Sequence, residues 1–82
     1  MELRFTQHAE HVIGERKLQV AWIERAVQSP ERIEEAEGGT RHFLARIVER
    51  DVRILRVVVD PVRDPWVVVT AFLDRRMKGQ IP

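Results

Sequence analysis

From residue 31 onward the sequence repeats every two residues, and short turns punctuate the repeat. "RIEEAE" leads to Gly38-Gly39, then come "TRHFLARIV", the turn Glu49-Arg50-Asp51, "VRILRVVVD", the turn "PVRDP" and "WVVVTAFL". Successive side chains of a strand point to opposite faces, so a period of two marks strands. The glycine pair and the two prolines mark where those strands stop. Strands joined by such short connections run antiparallel to their neighbours, and the natural arrangement is a four-strand meander.

The first 30 residues obey other periods. "ELRF", Glu2 to Phe5, alternates and reads as a short strand. Thr6 is a good N-cap for a helix from Gln7 to about Glu15, whose stripe Ala9, Val12, Ile13 and Arg16 is apolar until its last member. A second helix runs from about Gln19 to Gln28, with Leu18, Val20, Trp22, Ile23, Ala26 and Val27 on a wide apolar face. Ser29-Pro30 ends it, because the residue before proline is pushed out of helical geometry. The expected fold is therefore a two-layer α+β domain: short N-terminal strand, two helices on one face, then the antiparallel meander. It is expected to be one domain over residues 1–82, with the polar tail 74–82 frayed.

Composition removes several function classes. No apolar run approaches the roughly 18 to 20 residues of a membrane span. The start, "MELRFTQH", lacks the apolar stretch of a signal peptide. The chain has no cysteine, so it has no disulfide, zinc-thiolate site or thiol nucleophile, which suits the cytoplasm. Charge is uneven: residues 1–40 carry 5 basic and 8 acidic side chains, and residues 41–82 carry 9 and 5. Twelve of the 14 basic residues are arginine, the type that grips phosphate bidentately and stacks on bases.

A three-residue turn at 49–51 pairs Arg46 with Ile54, Leu44 with Arg56 and His42 with Val58. One face of the sheet then carries Phe43, Ala45, Ile47, Leu55, Val57 and Val59, the seat for the helices. The other carries His42, Leu44, Arg46, Val48, Val52, Ile54, Arg56 and Val58, too apolar for open water and too basic for a core. It is either a binding surface or a face covered by the C-terminal tail or by a second copy of the chain. The last strand adds Trp66, Val68, Thr70 and Phe72, or the alternate set.

His8 and His11 do not make a metal clip. The helical wheel puts His8 at the edge of the apolar stripe and His11 opposite, and no HExxH is present. No G-x-S-x-G, P-loop or dinucleotide fingerprint occurs either. Metal-free RNA cleavage fits the residues better. The substrate's own 2′-hydroxyl attacks the phosphate, so the protein supplies a proton acceptor, a proton donor and cations. His8 is the candidate acceptor, and His42, Arg46, Arg56 and Arg16 are candidates to hold phosphate.

"FTQHAEHVIGERKL", "AVQSPERI", "GGTRHFLARI", "RILRVVV" and "WVVVTAF" together resemble the family catalogued as domain of unknown function 4258. The resemblance spans residues 3 to 73 and rests on Phe5, Thr6, His8, Ala9, Arg16, Leu18, Pro30 and Thr70. His11 stands where relatives usually have arginine. The family is grouped with RelE/ParE-like toxins and related metal-free ribonucleases, so the resemblance implies a RelE-like fold and, by analogy, RNA cleavage or toxin–antitoxin pairing. It marks His8 and Arg16 as functional positions.

The resulting expectation is a cytoplasmic RelE-like domain acting on RNA as a metal-independent ribonuclease or as an RNA-binding toxin-like protein, without cofactor. Its candidate catalytic residues are His8, Arg16 and His42, and its candidate substrate-binding residues are Arg46, Arg56 and Thr70. The alternative is a non-enzymatic interaction module whose apolar-basic sheet face holds an antitoxin-type partner or its own copy.

Overall fold

A computed structural model describes residues 2–77. Strand β1 (Leu3–Phe5) leads into helices α1 (Gln7–Glu15) and α2 (Val20–Gln28), and strands β2 (Arg32–Glu35), β3 (Arg41–Ile47), β4 (Arg53–Asp60) and β5 (Trp66–Leu73) follow. The five strands form one sheet in the order β1-β5-β4-β3-β2. The meander β2 to β5 is antiparallel throughout, and β1 closes the other edge by pairing parallel with β5. Among the described residues no helix is long and apolar enough to cross a membrane.

Thr6 joins the two layers. Its hydroxyl oxygen accepts the Ala9 N–H at 3.0 Å, capping α1, and its hydroxyl hydrogen goes to the Val69 carbonyl at 3.1 Å. Its own N–H reaches the Val68 carbonyl, so the cap is tied to β5. From there Ala9 and Ile13 of α1, with Trp22, Ile23, Ala26 and Val27 of α2, pack on Phe43, Ala45, Ile47, Leu55, Val57 and Val59. That is the helix-bearing face expected from alternation. At about 25 cal/mol per Å² of apolar surface, this single layer is what holds so small a chain folded.

The β3–β4 register is the expected one: Arg46 faces Ile54, Leu44 faces Arg56 and His42 faces Val58. Neither expected set for the last strand is right. Val58 pairs with Thr70 while Val59 pairs with Val68, so Val69 is an extra residue in a β-bulge. The bulge moves the strand over by one face: Val68 joins the helix side, while Thr70 and Phe72 share the opposite face with Val58 and Arg56.

The second face is not open along its length. Leu44 and Ile54 are buried, with Met77 packed against them. Asp74 turns the chain back: its N–H donates to the Ile54 carbonyl at 2.8 Å, and a 3-10 turn follows over Arg75–Met77. The first four residues of the segment expected to fray are thus folded onto the sheet; residues 78–82 lie outside the described chain.

Candidate nucleic-acid interface

β1 covers only the first part of the outer edge of β5, from Trp66 to Val68. Beyond it the edge is met by side chains from α1. His8 is exposed, with Nε2 3.3 Å from the Thr70 hydroxyl. Arg16, at the other end of the helix, donates Nη1–H to the Ala71 carbonyl at 2.7 Å. Along the helix their Cα atoms are about 12 Å apart at 1.5 Å per residue, yet the two side chains reach adjacent residues of β5. Three predicted site residues, His8, Arg16 and Thr70, therefore meet on one strip.

Next to that strip lies a cavity of about 430 Å³ lined by Arg16, Arg50, Arg53, Phe72, Leu73 and Arg75. Its arginines come from the end of α1, the β3–β4 hairpin and the turn after β5. Among the described residues no carboxylate lines it. Two of the four are oriented by neutral acceptors, which leave their charge uncompensated: Arg16 by Ala71, and Arg50 by the carbonyls of Arg16 and Lys17 at 3.5 and 3.3 Å. The Arg50 guanidinium also sits 6.0 Å from the centroid of the Trp22 ring. Arg53 and Arg75 have no carboxylate partner among the described residues, whereas Arg25, Arg32, Arg41, Arg46, Arg56 and Arg76 all have one. Unpaired guanidiniums gathered around one hollow make a strongly anion-attracting site.

The hairpin that carries Arg50 and Arg53 is unusual. Between them Asp51 and Val52 both have left-handed backbones, with φ of 59° and 55°. Such a turn matches the twist of a hairpin, but a β-branched valine in that region is strained.

Two of the remaining candidates, His42 and Arg56, form a separate cluster. Arg56 is buried and donates to Asp74 Oδ2 at 2.8 Å, Glu34 Oε1 at 2.9 Å and His42 Nδ1 at 2.8 Å. Because Nδ1 accepts that hydrogen, His42 carries its own on Nε2 and presents a donor. Burial, and then the Arg56 charge, hold the His42 pKa below its ordinary value of 6.5. The Arg56 bond also draws the Glu34 carboxyl below the usual range. Asp74 is lowered too, since bonds from Arg76 and Arg56 outweigh the effect of its burial. Arg56 has two carboxylate partners, so its charge is largely compensated inside the fold.

His42 and Thr70 flank Val58 in one row across the sheet, about 10 Å apart at two strand spacings. Arg46 is further off: it lies about 13 Å along β3 from His42, given 3.3 Å per residue, and is bound to Glu31 at 2.8 Å. His11 pairs with Glu15 at 2.8 Å on exposed helix surface. Among the described residues no three His, Cys, Asp or Glu side chains converge as a metal would require. Sequence reading missed Arg50, Arg53 and Arg75: Arg50 and Arg75 sit in turns without periodic pattern, and Arg53 opens β4; the basic excess of residues 41–82 was their one trace.

A family model described as a domain of unknown function (DUF4258) matches residues 5–73. No curated protein and no solved structure matches the chain.

Proposed function

This chain belongs to the DUF4258 family, and from that premise we propose that it is a small RNA-binding domain of RelE-like, toxin-like character. The observation that carries the reading is the cavity at the end of β5, lined among the described residues by four arginines and an aromatic floor, with no carboxylate. Phosphate oxygens need such donors, and RNA offers them beside bases that stack on aromatic or guanidinium planes. The order of strand, two helices and antiparallel meander supports the RelE-like part of the reading; fold alone does not decide function.

His8 favours a second reading, metal-free cleavage. It is exposed and touches Thr70, which precedes Phe72 of the cavity by two residues on the same face, about 7 Å along the strand. There a ring nitrogen of His8 takes the proton of an RNA 2′-hydroxyl. The freed oxygen bonds to phosphorus, and the 5′-oxygen leaves with a proton from water. Arg16 and its neighbours stabilise the charge on the phosphoryl oxygens.

Fluorescence anisotropy with labelled RNA tests the binding. Wild type is expected to bind, and the Arg53→Glu, Arg75→Glu variant to lose that binding with its melting temperature nearly unchanged. Retained affinity in the variant sinks the reading. Cleavage is tested with EDTA present: His8→Ala is expected to stop it while leaving binding intact.

A further inference from the structure

We infer that the cavity at the end of β5 seats one unstacked nucleotide of single-stranded RNA, with its phosphate among the arginines and its base against Phe72. The inference rests on the RNA-binding reading and adds the form of RNA that fits.

The arrangement of charge comes first. Arg16, Arg50, Arg53 and Arg75 belong to three separate segments and face one hollow. A protein that tracks a duplex backbone sets its cations in a stripe, one contact per phosphate along the strand. Convergent cations concentrate on a single phosphate group instead. Arg16 and Arg50 are held in place by backbone carbonyls and form the fixed side of the seat. Arg53 and Arg75, unpaired with any carboxylate among the described residues, are free to close on what enters.

The floor is the second point. Phe72 and Leu73 project to opposite faces of β5, yet both line the cavity, which therefore wraps around the end of that strand. Phe72 is only half-buried. A seat for phosphate alone gains nothing from a half-exposed aromatic ring, whereas a base stacked on it is held in any sequence context. The volume of about 430 Å³ lies in the range of small-ligand sites, roughly 300 to 1,000 Å³. In a duplex both faces of each base are already stacked, and extruding one costs a few kcal/mol; a single strand avoids most of that cost.

Binding of wild type to a short single-stranded oligoribonucleotide is compared with binding to its blunt duplex at one salt concentration, and both are repeated with Phe72→Leu. The single strand is expected to bind about tenfold or more tightly, in line with the loss seen on removing one base-stacking aromatic. Phe72→Leu is expected to remove that preference, leaving the weak duplex binding unchanged. Adenosine monophosphate is expected to outcompete inorganic phosphate for wild type but not for the variant. Equal or tighter binding of the duplex by wild type overturns the inference and leaves the RNA-binding reading standing, and that comparison needs no variant to fold. Failure of wild type to bind either form overturns both.

Discussion

Arg16 donates a hydrogen bond to the Ala71 carbonyl at 2.7 Å, joining the end of α1 to the outer edge of β5 across 55 positions of sequence. The bond satisfies a carbonyl that β1 is too short to reach and fixes one wall of the arginine cavity. Arg16 is exposed, so water replaces part of the bond when the side chain is removed. Arg16→Ala is expected to cost about 1 kcal/mol, or roughly 4 to 8 °C in melting temperature for a domain of this size. An unchanged melting temperature contradicts the anchoring role.

The strained hairpin makes the opposite forecast. Val52 has φ of 55°, a conformation that a β-branched residue adopts at a cost and glycine adopts freely. Relief of about 1 to 2 kcal/mol, less the extra chain entropy of glycine, leaves Val52→Gly about 0.5 to 1 kcal/mol more stable than wild type. Urea denaturation measures it, and a destabilised variant refutes the strain.

The Arg56–Asp74 pair holds the chain's return over Leu44 and Ile54, and the Asp74 side chain is 2% exposed. Removing the carboxylate leaves a buried guanidinium with Glu34 as its remaining anion. Asp74→Ala is expected to destabilise by about 3 kcal/mol, the low end for breaking a buried pair, because Glu34 still compensates part of the charge. A loss well below 1 kcal/mol in chemical denaturation means that the pair is not what fixes the turn.

His42 makes stability depend on pH. Its pKa in the folded chain lies below the ordinary 6.5, so near that pH the unfolded chain binds more protons than the folded one. Stability therefore rises with pH through this window. Well above pH 6.5 the ring is neutral in both states and contributes no slope; as pH falls through 6.5 toward the folded-state pKa, stability is lost. His42→Asn is expected to flatten the stability profile around and just below pH 6.5, whereas an equally steep profile assigns the slope to other groups. Glu34 and Asp74, both lowered, add their own losses at more acid pH, as pH falls through their folded values.

Much of this was legible in the sequence where interactions are local. Thr6 was readable as a cap because a cap acts within one turn, and the pairing of Leu44 with Arg56 followed from one short hairpin. The parallel pairing of β1 with β5 was not, since it joins residues about 60 positions apart. The bulge at Val69 was hidden in "WVVVT", where identical side chains leave no alternation to break. Asp74 read as part of a frayed tail because its partner Arg56 lies on another strand. Of the candidate residues, His8, Arg16 and Thr70 do come together at β5; Arg50, Arg53 and Arg75 lie at the ends of separate elements that only the folded chain brings together.

The most direct test of an arginine seat for RNA is the salt dependence of binding. Each phosphate neutralised on a single strand contributes about −0.7 to the slope of log K against log salt. Arg53→Ala, Arg75→Ala, compared with wild type from low to physiological salt, is expected to weaken binding and to flatten the slope by up to about 0.7, the share of the one phosphate seated there. An unchanged slope and affinity in the double variant contradict the account.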